Sequence, residues 1–337
     1  MTMGLDFMGA LSAMRGRRIL VLGDMVADIY LDGRISRISR EAPVLVLEQA
    51  GEKIVAGGAA NVVNNIATLG GTAYAVGTVG RDSGAAGLRR VLEKNGAHTG
   101  SLVADEARPT ITKTRIIAGG RATVSQQIVR IDRESKKPLS DALEAELLRQ
   151  IQNLLPHIDG VVLSDYGAGT ITDRLKDTLI EACRARRIPS IVDSRYAIHR
   201  FKGIGYIKQN DAELAAAVGR ELAGEAAIIR AARELLAELS ADGVLVTRGE
   251  DGMTLVTRAG EVHTIPVSDR SEVFDVSGAG DTCVAAVILA LAAGVEPQAA
   301  ACLSNIASGI AVRKMGTSTV SAEELSRAVQ LMAERER

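Results

Sequence analysis

Two kinds of block alternate along this chain. Short runs, most of them largely apolar, are bounded by Gly, Asp or Asn: Arg18-Ile-Leu-Val-Leu-Gly23, Ala73 to Val79, Gly160 to Gly167 (a strand plus loop), Pro189 to Asp193, the more mixed Tyr206 to Gln209, and Gly243 to Arg248. Runs of this length and β-branched content predict strands buried on both faces. Longer stretches with apolar residues at helical spacing lie between them: Val62 to Leu69, Leu143 to Leu155, Thr172 to Arg186 and Glu225 to Leu239. Cys283 to Ala293 is apolar almost throughout and predicts a buried helix, and Met3 to Met14 predicts a short amphipathic one. Strands alternating with helices predict an α/β, doubly wound, mainly parallel sheet with helices on both faces.

Two segments break that rhythm. Tyr30 to Lys53 mixes apolar and polar positions around Pro43, with Val44 to Glu48 as a strand. Thr110 to Asp132 holds two strand-like runs around Gly119-Gly120, which predicts a hairpin. Together they predict a small β-sheet standing off the main body as a lid. No repeat, linker or low-complexity tract divides the chain, so residues 1–337 read as one domain with lid segments at about 30–53 and 110–132.

Composition narrows the partners. Hydrophobic residues make up 47% but aromatics only 2%, so the core must be built of Ala, Val, Leu and Ile. Forty basic against 41 acidic residues give a net charge of −1, and no basic excess points to nucleic acid or to an anionic membrane. Cys183, Cys283 and Cys302 lack metal-ligand spacing and read as reduced core thiols of a cytoplasmic protein. Arg15, Arg17 and Arg18 follow the first apolar stretch instead of preceding it, unlike a signal peptide. The longest apolar run is too short to span a bilayer.

The densest chemistry is at Asp275-Val-Ser-Gly278-Ala279-Gly280-Asp281-Thr282, between a β-like run at Glu272 to Phe274 and the apolar helix. Gly278 and Gly280 admit turn conformations, and the helix behind them starts with free N–H groups and the positive end of its dipole. That makes an anion site suited to phosphate. Asp281 at its rim would repel phosphate as a ligand but can serve as a base toward a hydroxyl that attacks phosphate. Read locally, the same residues are a capped helix start with turning glycines.

Weaker signals sit at other strand ends. Asp24 and Asp28 follow the first strand, where carboxylates either bind sugar hydroxyls or simply cap and solvate a loop. Gly57-Gly58-Ala-Ala-Asn61 opens a helix whose N–H groups and amide could meet a polyol. Asn210-x-x-Glu213 fits a capping box, or a carboxylate holding water around Mg²⁺. Thr247-Arg-Gly249 with Gly252 reads by itself as a tight turn between strands. Ser304-Asn305 to Gly309 puts small residues on one helix face, which by itself reads as close packing. No Gly-x-Gly-x-x-Gly follows the first strand, which argues against a dinucleotide-binding dehydrogenase.

Taken together, the Gly-Ala-Gly-Asp281 stretch, Gly-Gly-x-x-Asn61, Gly80-Arg-Asp-Ser-Gly84 and Asn210-x-x-Glu213 resemble the signatures of the ribokinase/PfkB family of sugar kinases. The resemblance implies the ribokinase-like fold and transfer of phosphoryl from ATP to a sugar hydroxyl. Asp281 would be the base, with Gly278, Ala279 and Gly280 forming the anion hole. Asp24, Asp28, Gly57, Gly58, Asn61 and Arg130 would shape the sugar site. Asn210, Glu213, Thr247, Gly249, Gly252 and Asn305 would serve ATP. Glu213 would hold Mg²⁺ through water, and Asp275 with the loop Lys314 to Ser318 would hold a monovalent cation such as K⁺. The family's lid implies a homodimer.

Within the family, Arg34 to Val44, Thr112-Lys-x-Arg115, Gln126-Gln-x-x-Arg130-x-Asp132, Ser164-Asp-Tyr-Gly-x-Gly169 and Gly316-Thr-Ser-Thr-Val320 are most similar to the heptose 7-phosphate kinase branch. The resemblance runs from about Arg18 to Glu324 and covers the kinase half of that branch, without its adenylyltransferase. The chain departs from the branch at Asp193-Ser-Arg-Tyr196, where Asp-Pro-Lys-Gly is usual, and at Arg40, where Pro is usual. Arg195 would then supply the cation for a sugar phosphate, with a planar fork in place of a point charge. A kinase for ribose, fructose or a nucleoside is the alternative within the class. A sugar-binding sensor without turnover is the alternative outside it.

Overall fold

In the computed structural model, which describes residues 6–119, 125–268 and 273–335, helix α1 (Phe7–Met14) leads into strand β1 (Arg18–Gly23). The chain then forms β2 (Met25–Ile38), β3 (Leu45–Gly58), α2 (Ala59–Thr68), β4 (Thr72–Gly80), α3 (Ser83–Lys94), β5 (Leu102–Asp105), β6 (Ile111–Gly119) and β7 (Gln126–Arg133). Next come α4 (Asp141–Leu154), β8 (Gly160–Asp165), α5 (Asp173–Arg186), β9 (Ser190–Ser194), β10 (Tyr206–Asn210), α6 (Asp211–Ala217) and α7 (Gly224–Leu239). The last elements are β11 (Gly243–Thr247), β12 (Met253–Thr257), β13 (Val262–Ile265), α8 (Ala279–Ala292), α9 (Pro297–Ala311) and α10 (Ala322–Arg335).

Nine of these strands form one sheet in the order β13-β12-β11-β10-β9-β8-β1-β4-β5. All its pairs from β10–β11 through β4–β5 are parallel, and β12 and β13 close one edge antiparallel. β1 shows why its run had to be apolar throughout. Ile19 and Val21 pack into the core under α1, α2, α3, α8, α9 and α10, while Leu20 and Leu22 pack into the core under α4 to α7. A strand covered on both faces has no side that can be polar. Burying these apolar side chains on two faces is the main favourable term in holding the layers together. Cys183, Cys283 and Cys302 are free and buried. No helix among the described residues is long and apolar enough to cross a membrane.

The predicted lid is a separate four-stranded sheet, β3-β2-β6-β7. Its first segment is longer than the sequence pattern predicts. β2 and β3 pair from Met25 opposite Gly58 to Ile38 opposite Leu45, so the lid reaches down to the end of β1 and the start of α2. β6 and β7 pair antiparallel as the hairpin reading expects, and Gly120 lies outside the described residues. The β-like run at Glu272 to Phe274 is not a strand where it is described. The N–H groups of Phe274 and Asp275 both go to Val312 O, at 2.9 and 3.1 Å, so this segment docks on the end of α9 and not on the sheet. Glu272 lies outside the described residues.

Candidate active site

In a parallel sheet the loops at the carboxyl ends of the strands converge on one side. Asp24 follows β1 there, Tyr166 follows β8, Asp193 sits near the end of β9 and Lys208 lies in β10. α8 aims its first turn at the same place. Gly278 caps that helix at φ 80°, a left-handed conformation that residues with a Cβ resist, and a Cβ there would also lie 2.7 Å from Asn61 Nδ2. The Ala279 N–H turns back to Val276 O at 3.3 Å. The N–H groups left over at the helix head are then those of Gly280 and Asp281.

Asp281 is only 5% exposed. Its Oδ2 accepts from Asn61 Nδ2 at 2.8 Å and its Oδ1 from the Tyr166 hydroxyl at 2.9 Å. Burial pushes its carboxyl up to about 6, against the pull of the Asn61 hydrogen bond; nearby Asp193 adds to the rise, while Tyr166 and Lys208 oppose it. A carboxylate poised near neutrality is what general-base chemistry requires. Asn61 is itself held by α2 and α8 together. Asn65 Nδ2 donates to Asn61 O at 3.0 Å, and the Thr282 hydroxyl donates to Asn65 Oδ1 at 3.0 Å.

Lys208 was not singled out from the sequence. It is buried, donates to Asp193 Oδ2 at 2.9 Å and faces the turn, since a Cβ on Gly280 would lie 2.9 Å from its Nζ. Burial works against the ammonium, but Asp193 and Glu213 outweigh it and keep Lys208 charged. Its one sequence signal is a lysine at the centre of a short strand that the alternation places in a sheet covered on both faces. Tyr166 was quoted only as part of a longer resemblance. Burial, with the charges of Asp281 and Asp193, pushes its hydroxyl well above the ordinary value, so it remains a donor.

On the lid side, Asp28 is buried and accepts from Arg115 Nη1 at 2.7 Å. A Cβ on Gly57 would lie 2.6 Å from Asp28 Oδ2, so glycine is what lets β3 approach that carboxylate. Gly58 follows, with Asp24 O 2.9 Å from where its Cβ would be. The Arg195 guanidinium lies 5.1 Å and the Lys113 ammonium 5.8 Å from the centre of the Tyr166 ring. Two predicted sugar ligands have their polar atoms engaged by the protein itself. Asp24 is fully buried, and its carboxylate accepts the N–H groups of Tyr166, Ala168 and Thr170 at 2.9, 3.0 and 3.2 Å. It shapes the loop after β8 instead of presenting itself to a ligand. Arg130 is half exposed on the edge strand β7 and forks onto Asp132 at 2.8 and 3.0 Å.

Beside Gly280 opens a cleft of about 740 Å³ lined by Lys208, Asn210, Thr247, Gly249, Gly252 and Asn305, among others. Asn305 Nδ2 donates to Pro266 O at 2.7 Å, and the Ser308 hydroxyl ties α9 to Ala279 O at 3.2 Å. Asn210 and Glu213 form the full capping box: Asn210 Oδ1 takes the Glu213 N–H at 2.7 Å, and Glu213 Oε2 takes the Asn210 N–H at 2.9 Å. The local reading of that pair was correct, and Glu213 keeps only Oε1 for other use. Asp275 Oδ1 and Oδ2 accept the N–H groups of Ser277 and Gly316 at 2.8 and 2.9 Å. Burial opposes its charge, but those N–H groups hold it below the usual carboxylate range. Among the described residues no three carboxylate side chains cluster to hold a metal by themselves, which suits a Mg²⁺ that takes most of its ligands from phosphate and water. A second cavity, of about 600 Å³, opens at the far ends of the strands by Pro189, Tyr206 and Pro297 and contains none of these residues.

Comparison with known proteins agrees with this geometry. The family described as "pfkB family carbohydrate kinase" matches residues 17–325. The chain is 40% identical over 314 residues to the bifunctional protein HldE of Desulfatibacillum aliphaticivorans, covering 93% of this chain and 63% of that one. It is 41% identical over 323 residues to HldE of Mesorhizobium japonicum, covering 95% and 63%. It therefore spans under two thirds of these relatives' length. Among solved structures, Arabidopsis thaliana ribokinase with ribose and ATP superposes with a TM-score of 0.71 at 19% identity, covering 94% of this chain and 99% of that one. Escherichia coli phosphofructokinase-2 with fructose-6-phosphate gives 0.72 at 21%, with the same coverage. At those identities the likeness is one of fold.

Proposed function

Because the chain belongs to the pfkB family of carbohydrate kinases, we propose that it transfers the γ-phosphoryl group of ATP to a free hydroxyl of a heptose 7-phosphate, toward an ADP-heptose precursor of lipopolysaccharide. The observation that carries the kinase chemistry is the buried Asp281 carboxylate at the head of α8, beside Lys208 and the cleft.

In this reading ATP occupies the cleft at Thr247, Gly249, Gly252 and Asn305, with Asn210 near its phosphates. The acceptor hydroxyl donates to Asp281. As its oxygen bonds to the γ-phosphorus, its proton passes to Asp281, the bond from the γ-phosphorus to the bridging oxygen breaks, and ADP leaves. Lys208 and the backbone N–H groups of Gly280 and Asp281, at the turn formed by Gly278, Ala279 and Gly280, hold the charge on the phosphoryl oxygens. Bound Mg²⁺ would neutralise nucleotide phosphate charge, with Glu213 Oε1 reaching it through water. Asp275, ionised and fixed by two N–H groups, is the carboxylate we assign to a monovalent cation such as K⁺.

Asp28, Gly57, Gly58 and Asn61 would line the sugar. Arg195 and Lys113, both at the Tyr166 ring, would take its phosphate by charge-assisted hydrogen bonds. We read the chain as one cytoplasmic kinase domain with an embedded lid. Exposed Ile35, Ile38, Val44, Leu45, Val129 and Ile131 on the lid support a homodimer built through it. An ADP-release assay with ATP and a panel of sugars tests the assignment. Turnover of heptose 7-phosphate above unphosphorylated hexoses and pentoses is the expected result.

A further inference from the structure

The base reading leaves the Tyr166 hydroxyl without a role. It is the second donor on Asp281, and it comes from a loop that is unusually well held. Asp24, with no exposure of its own, accepts three N–H groups of that loop, including the N–H of Tyr166 itself. The ring is flanked by the Lys113 and Arg195 cations. The position of the hydroxyl is therefore fixed from both the backbone and the ring.

We infer that Tyr166 is a positioning residue for the proposed base: its hydroxyl, donating to Oδ1, keeps the buried Asp281 carboxylate charged and aimed at the acceptor hydroxyl. The inference rests on the kinase reading above. Each Asp281 oxygen carries one donor, Asn61 on Oδ2 and Tyr166 on Oδ1, and each retains a lone pair. The acceptor hydroxyl can use that lone pair without displacing either donor. The other groups facing Asp281 leave this task to the donors. Asp193 on β9 and Lys208 on β10 are an ion pair, so their fields at Asp281 oppose each other. Cys283, on the same helix, is pushed by burial up to about 11 and stays neutral. Without the tyrosine donor, desolvation of the carboxylate would be offset by Asn61 and a net-neutral pair alone.

Tyr166→Phe removes the hydroxyl and keeps the ring that Lys113 and Arg195 touch. The acidic limb of kcat against pH should move up by roughly one to two units, the shift one hydrogen bond to a charged group supports. Above the shifted limb most of kcat should return, with KM for both substrates within about twofold of the parent, as the ring contacts persist. A merely structural role would lower kcat by the same factor at every pH. A second readout does not depend on turnover. The carboxyl infrared band of Asp281, isolated by difference against Asp281→Asn, can be titrated in the substrate-free protein. Its midpoint should rise in Tyr166→Phe, and an unmoved midpoint or an unmoved limb would overturn the inference. If Asp281→Asn itself retains turnover, the base reading fails, and the infrared midpoint still decides whether Tyr166 holds this carboxylate charged.

Discussion

Asn61 and Asp281, 220 residues apart in the chain, meet side chain to side chain at 2.8 Å in the buried floor of the site. Helix α2 brings the amide and helix α8 brings the carboxylate, and the two helices pack on the same face of the large sheet. The contact fixes one oxygen of Asp281 and leaves the carboxylate facing the glycine turn. The chemistry proposed for this protein turns on that carboxylate.

Replacing Asp281 by Asn should therefore leave the fold and ATP binding nearly intact. It should lower kcat by on the order of 10²–10⁴, the usual worth of a positioned acid or base. Steady-state kinetics with an ATP-binding titration would check it. Near-parental kcat would remove Asp281 from the mechanism.

The pH profile follows from the same group. Asp281 must be ionised to take a proton, and burial raises its carboxyl to about 6. Activity should thus be lost as pH falls through about 6 and be flat above it until another group titrates. The sign for stability is the opposite. A carboxyl raised above its unfolded value favours the folded state most at pH below the unfolded value, and that contribution is lost as pH rises through about 6. Removing the charge with Asp281→Asn should relieve that cost only at neutral pH, visible as a Tm difference that shrinks in acid. An activity limb near pH 4 would show that the carboxyl is not raised.

At Gly280 the available space decides the outcome. A branched side chain would meet Lys208 Nζ, which is held by Asp193 and has little room to retreat. Gly280→Val should abolish activity with only a modest change in Tm. Equal kcat in the two proteins would show that the turn is only structural.

Much of the fold was legible because burial on two faces forces unbroken apolar runs, as at Ile19 to Leu22, and because helices between such runs show their period. The glycine turn and Asp281 were legible because they lie within one short stretch. What failed was what depends on crossovers. Asp24 lies at a strand end where a ligand could bind, but its acceptors are used by a loop more than 140 residues later. Lys208 and Tyr166 gain their places only when β8, β9 and β10 line up in the sheet. Arg130 lies opposite Arg115 on the same face of the lid, but its guanidinium is taken up by Asp132 two residues on. At Glu213 the local capping signal was legible in the spacing Asn210-x-x-Glu213, and the capping box forms in full.

The lid leaves apolar side chains uncovered, among them Val129 and Ile131 at 44% and 55% exposure. We expect a homodimer that buries this face, and charged replacements Val46→Asp and Ile116→Asp that yield monomers. Light scattering reads the mass directly. A value near 35.4 kDa for the unmodified protein would rule the dimer out.

Arg195 and Lys113 sit together at the Tyr166 ring, whereas the nearby lid cations Arg115 and Arg130 are committed to Asp28 and Asp132. Arg195→Ala should raise KM for heptose 7-phosphate by about one to two powers of ten, the loss of one charge-assisted contact, with a smaller effect on KM for ATP. An equal rise for both substrates would place Arg195 outside the phosphate site.

The most direct test of the whole account is ADP release by the purified protein with ATP, Mg²⁺ and heptose 7-phosphate, run beside unphosphorylated ribose, fructose and a nucleoside. The account predicts saturable turnover that is fastest by kcat/KM on the heptose 7-phosphate and is lost in Asp281→Asn. Faster turnover of an unphosphorylated sugar would contradict the substrate, and no ADP release with any sugar in the panel would contradict the kinase assignment itself.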